Sequence, residues 1–126
     1  SQDAVIKLCP AAGIDIPGEL SLAEKLKYVQ ALMEKDDPRA IAIFETIGAY
    51  LAYTTVLYAQ FYDIDYMMLL GRVMSGKGGD TILKVCNEIL AEEYPELAKK
   101  CAVTLPDEKM RRVGQSVAAA SLPKIK

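Results

Sequence analysis

The chain contains no histidine. Imidazole is the side chain whose charge changes near neutral pH, and it is the usual base beside a nucleophilic serine. Its absence excludes a Ser-His-Asp triad, histidine acid–base catalysis and mixed Cys/His zinc sites within these residues. A basic surplus is also missing: 15 Lys and Arg stand against 17 Asp and Glu, a formal net charge of -2. Without excess positive charge to neutralise phosphates, nucleic acid is not expected as a direct partner. Cysteines are few and odd in number. Cys9, Cys86 and Cys101 lie far apart, which suits buried thiols in a reducing, cytoplasmic compartment rather than a disulfide framework. Asp3 and Lys7 interrupt the only early apolar stretch, so no signal peptide is read there. Ser at position 1 raises the expectation of a longer parent chain.

What is present is a globular composition, 52% hydrophobic and 25% charged over 126 residues, enough for one domain with its own core. Residues 1–35 read as amino-terminal helices and 36–126 as a helix–strand–helix–strand–helix core. The first helix covers 3–12 and opens at Asp3, with Pro10 and the Gly13, Pro17, Gly18 cluster leading into a loop. Ser21 and Glu24 have capping-box spacing, and Leu22, Leu26, Val29 and Leu32 or Met33 make one apolar helix face running to about residue 35. Asp36-Asp37-Pro38 starts a long helix over about 38–61. From Thr46 to Tyr62 no residue is charged. That stretch is shorter than the ~20 residues of a membrane span and contains Thr46, Thr54, Thr55 and Gln60, so a buried central helix is expected and no membrane partner.

Tyr66 to Leu70 is a continuous apolar run, the pattern of a parallel strand covered on both faces. Asp80 then caps a helix with Ile82, Leu83, Cys86, Ile89 and Leu90 inward, stopping near Pro95, with a further turn over 96–100. Residues 101–105 read as a second strand. Pro106-Asp107 turns the chain into a last helix, 108–121, with small residues at Gly114, Ser116, Ala118, Ala119 and Ala120. The order is α/β. So small a parallel sheet is poorly covered alone, which points to packing against another part of the chain or to a homodimer.

The chemistry-bearing segment is Gly71-Arg72-Val73-Met74-Ser75-Gly76-Lys77-Gly78-Gly79-Asp80. Glycines let backbone amides approach a ligand, a following helix start suits phosphate, and Arg72 and Lys77 add positive charge. Gly71 to Lys77 meets a P-loop pattern except at its last position, where Gly78 replaces the magnesium-binding hydroxyl. The plain alternative is a flexible glycine turn. Lys109, Arg111 and Arg112 form a basic cluster on the last helix, read as a solvated face or as a phosphate contact beside this loop.

Three landmarks in order resemble the carboxyl-terminal end of ROK proteins, which are sugar kinases and sugar-responsive repressors of the actin-like superfamily. They are Asp37-Pro38-Arg39-Ala40 followed by Ile47-Gly48-Ala49-Tyr50-Leu51-Ala52, the strand Tyr66–Val73, and Gly114-Gln115-Ser116-Val117-Ala118-Ala119. The resemblance covers about 36–123. It implies an actin-like, ribonuclease H-like lobe whose missing amino-terminal lobe supplies the catalytic aspartate, the phosphate loop and the sugar contacts. It also implies that Gly71, Arg72, Val73, Gly76, Lys77, Gly78 and Gly79 contact ATP, with magnesium in the full-length protein. The family's second glycine is Arg72 here, which either reaches a phosphate or blocks adenine. No residue is assigned as catalytic: Asp3, Asp15, Asp63, Asp65 and Asp80 are the nearest carboxylates, each read as a cap or turn residue. The alternatives are a non-catalytic sugar-responsive regulator with a decayed ATP site, or an oligomerisation module built on the long helix and its tyrosines.

Overall fold

Local signals in the chain account for most element boundaries. The computed structural model describes residues 2–105. The first helix, α1 (Gln2–Ala12), runs through Pro10 and ends where Gly13 takes a φ of 81°. The Ile14 amide donates to the Cys9 carbonyl at 2.9 Å and the Gly13 amide to Pro10 at 3.1 Å, a Schellman closure. The helix ends at Ala12, as the expected span of 3–12 has it, with Pro10 inside its last turn. Pro10 stays helical because the glycine one turn later terminates the helix, while Val5 and Cys9 anchor α1 in the core.

Helix α2 (Leu22–Glu34) opens on Ser21, whose Oγ accepts from the Glu24 amide at 3.3 Å. It closes with the same geometry, without glycine. Asp36 sits at φ 58°, the Asp37 amide donates to Leu32 at 3.1 Å, and the Asp36 amide donates to Met33 at 3.0 Å. Aspartate is one of the few side chains that enters this left-handed region readily. Asp37 then caps α3 (Pro38–Phe61), accepting from the Arg39 amide at 2.9 Å. The Arg39 guanidinium grips both Asp37 oxygens and donates to the Gly13 carbonyl at 3.0 Å, tying the end of α1 to the start of α3. That guanidinium holds the Asp37 carboxyl down at a pKa of about 2.

Ala40, Phe44, Gly48, Ala52 and Thr55 recur along the buried side of α3. This side meets α4 (Gly76–Glu93), and Gly48 makes the close crossing possible: a Cβ there would lie 2.8 Å from the Ile82 carbonyl oxygen. By length and composition α3 is long and apolar enough to cross a membrane; Ile43 and Phe44 lie in the core, but only 33% of its most apolar stretch is buried, so the expected buried central helix is buried on one side alone. Strand β1 (Tyr66–Met68) pairs in parallel with β2 (Ala102–Thr104), joined through α4 and the short α5 (Pro95–Lys100). The register sets Met67 opposite Val103. The chain is therefore α/β, rich in helix, with a two-stranded parallel sheet among the described residues.

Two expectations change here. The run Tyr66–Leu70 is not covered on both faces. Met67 lies against Thr55 of α3 and Val103 is buried, while Tyr66 and Leu70 are exposed and the Tyr66 hydroxyl meets Thr104 Oγ1 at 3.0 Å. Asp80 does not cap α4. The helix starts one turn earlier, after Ser75, because the glycines that looked like loop are its first turn. The predicted last helix, with Lys109, Arg111 and Arg112, lies outside the described residues.

Candidate functional site

The glycine segment leaves the carboxyl end of β1, where ligands of α/β folds bind. It divides into an open half and a filled half. In the open half, Gly71 has a φ of 119°, and beyond its chain neighbours no atom of the described residues lies within 4 Å of where its side chain would be. Arg72 is exposed, and its carbonyl is held by Gln30 Nε2 at 2.9 Å. Residues Arg72–Met74 form a single 3-10 turn that buries Val73 and Met74. Val73 thus belongs to the core and anchors the turn beneath Arg72.

The filled half is occupied by the protein itself. Glu34 Oε1 accepts from the Lys77 amide at 3.0 Å, so a carboxylate already caps the amino terminus of α4. Lys77 Nζ donates to the Glu34 carbonyl at 3.3 Å and to Asp36 Oδ1 at 3.2 Å. The end of α2 and the start of α4 are clasped, each helix placing a charge on the other's dipole end of opposite sign. A side chain on Gly76 would strike Glu34, since its Cβ would lie 2.6 Å from Oε1. On Gly78 a Cβ would lie 2.6 Å from Phe44 Cε1, and on Gly79 it would overlap the Met74 carbonyl. Gly78 and Gly79 are buried against protein, and their lack of a side chain serves the contacts of α4 with α3 and with the 3-10 turn.

Of the seven residues expected at a nucleotide, Val73, Gly78 and Gly79 are buried, Gly76 and Lys77 are exposed but face the Glu34–Asp36 clasp, and Gly71 and Arg72 lie outside both. Glu34 and Asp36 were not singled out from the sequence. Their signal was the acidic run Glu34-Lys35-Asp36-Asp37, which pattern reading assigned to helix termini alone. Beside the clasp lies a groove of about 420 Å³ between α2, α3 and α4, lined in part by Asp36, Glu45, Asp80 and Glu88 against Lys77 and Lys84. Four carboxylates to two ammonium groups disfavour a phosphate there.

The remaining reactive groups are quiet. All three cysteines are free and buried. Burial lifts the Cys86 thiol to about 11, with Cys101 adding to the rise, and burial raises Cys9 and Cys101 as well. Thiols held neutral are poor nucleophiles and ligands. Asp63 pairs with Lys100, while Asp3, Asp15, Asp65 and Asp80 are exposed. No cluster of three or more Cys, Asp or Glu among the described residues is arranged to hold a metal ion. No family model, curated protein or solved structure matches the chain.

Proposed function

We propose that the chain contributes the nucleotide-binding half of a ROK-like sugar kinase, with Gly71 and Arg72 meeting the adenosine or phosphate part of ATP. The observation that carries this reading is the open turn at Gly71, at the carboxyl end of the parallel strand β1 and directly ahead of α4. Backbone at that turn is accessible because no neighbouring side chain fills the space beside it. Arg72 supplies a fixed positive charge there, steadied by Gln30 on its carbonyl. The first two stretches that carry the resemblance fall on α3 and on β1 with its following turn, in that order. In this reading the Lys77 amide and ammonium do not clamp phosphate, because Glu34 and Asp36 hold them. Gly76, Gly78 and Gly79 shape the loop without touching nucleotide.

Phosphoryl transfer needs a base, magnesium ligands and phosphate clamps together, and in this reading the missing lobe brings them. The chain alone is then catalytically silent, works in the cytoplasm and acts by binding. Calorimetric titration with ATP tests it. The expected result is measurable ATP binding that Arg72→Ala weakens roughly 10-fold, as for loss of one charge-assisted contact, with the melting temperature in the absence of ATP unchanged. Binding of ATP to neither protein, or equally to both, would overturn the assignment of Gly71 and Arg72. Should Arg72→Ala instead create or tighten binding, the side chain blocks adenine and the regulator reading takes over.

A further inference from the structure

The outward side of α3 carries Tyr50 at 76% exposure, Leu57 at 52% and Phe61 at 74%, with Tyr53 at 47% on one flank. The spacing from Tyr50 to Leu57 to Phe61 places them in one line down the helix. A solvated helix face normally bears charge, and this one has none between Thr46 and Tyr62. The groove beside it, between α1 and α3, measures about 370 Å³ and is lined by Leu8, Ile47, Tyr50, Leu51 and Thr54. Buried residues on α3 explain its inner side; nothing among the described residues covers this outer one.

We propose that this stripe is the interface of a two-fold dimer, its occupant a second copy of the same chain. Three observations favour a second copy. First, an uncharged stripe meets itself without like-charge contacts, even though the chain as a whole is acidic. Second, the area fits a weak dimer: at ~200 Å² for a whole large side chain, the exposed parts of Tyr50, Tyr53, Leu57 and Phe61 come to roughly 500 Å² per copy. Pairing removes ~1,000 Å², the low end for specific interfaces, so a reversible dimer is expected. Third, the two rims differ in charge. Lys7 of α1 lies along one side of the stripe, and it has no ion-pair partner among the described residues. Glu93 of α4 lies along the other side, where it accepts from the Tyr53 hydroxyl at 2.7 Å. A two-fold axis running along α3 turns the Lys7 rim of one copy to the Glu93 rim of the other. The helices then pair side by side in the same direction.

The inference stands apart from the nucleotide reading, since the stripe and the Gly71 turn are different parts of the molecule. Sedimentation over ~1–100 µM tests it, a range that brackets a reversible interface of this size. The wild-type chain is expected to pass from monomer to dimer, and Tyr50→Glu with Leu57→Glu to remain monomeric with an unchanged circular dichroism spectrum. Lys7→Glu alone should weaken the dimer several-fold at low salt, and Lys7→Glu with Glu93→Lys should restore it. A wild-type monomer throughout the range would overturn the proposal, as would a Tyr50→Glu, Leu57→Glu chain that still dimerises. Failure of the charge exchange to restore pairing would overturn the two-fold arrangement. Co-sedimentation with phosphatidylcholine vesicles in place of self-association would assign the stripe to lipid and overturn the proposal too.

Discussion

Replacing Gly79 by Ala separates a glycine kept for packing from one kept for a ligand. A Cβ at this position would overlap the Met74 carbonyl, which belongs to the 3-10 turn and is backbone, so no rotamer change relieves it. Within a helix the exchange of Gly for Ala would by itself stabilise by roughly 1 kcal/mol. Overpacking a filled site costs typically ~1–3 kcal/mol, and a clash with backbone belongs at or above the upper end. The net expectation is a loss of ~2 kcal/mol or more, a fall in Tm on the order of 8 °C for a chain of this size. Thermal and urea unfolding followed by circular dichroism measure it directly. Gly78→Ala should also destabilise, because the Phe44 ring it meets is fully buried and has nowhere to move. Gly71→Ala meets no atom among the described residues and carries only the strain of a backbone at φ 119° and ψ 166°, ~1–3 kcal/mol. The reasoning is refuted if Gly79→Ala melts within a degree or so of wild type. A loss of ATP binding at unchanged stability would instead mean that the glycine serves a ligand.

The clasp between α2 and α4 predicts that Glu34→Gln lowers Tm by a few degrees at low salt and by less at high salt; equal losses at both would argue against a charge effect. Asp37 has its pKa lowered to about 2 from the model-peptide value of 3.8, so the stability it contributes is complete above pH ~4 and disappears as pH falls through about 2. Asp37→Asn should flatten this acid limb of a stability–pH curve, and an unchanged limb would contradict the Arg39 pairing. Cys86, raised to about 11 from 9.0, contributes in the opposite direction: its share is present below pH ~9 and lost as pH rises through about 11. The native thiols should accordingly react with a disulfide reagent far more slowly at neutral pH than in urea, and comparable rates would show them accessible.

Much of the architecture was legible because its signals are local. Ser21 and Asp37-Pro38 are caps that act on amides two or three residues away, so α2 and α3 begin where those residues stand. The apolar run at Tyr66 also announced a strand, and β1 does pair in parallel with β2, although the two-sided burial from which parallel pairing was read is absent. Local reading failed where a distant group competes with a nearby one. Asp80 is a good cap by itself, but Glu34, distant in sequence, caps α4 a turn earlier.

The sequence by itself determined the starts of α2 and α3, the buried thiols, the exclusion of histidine chemistry and the place of Gly71 between strand and helix. Capping, periodicity and composition act over a few residues, or over none, and need no fold to be read. Only the tertiary structure decided which glycines of the segment have protein packed against them. Whether an absent side chain leaves room for a ligand or for Phe44 and Met74 depends on which distant atoms arrive beside it. The same holds for the aromatic stripe on α3. Its residues are core-like in type, and only the packing of α1 and α4 on the other sides of the helix leaves them facing outward.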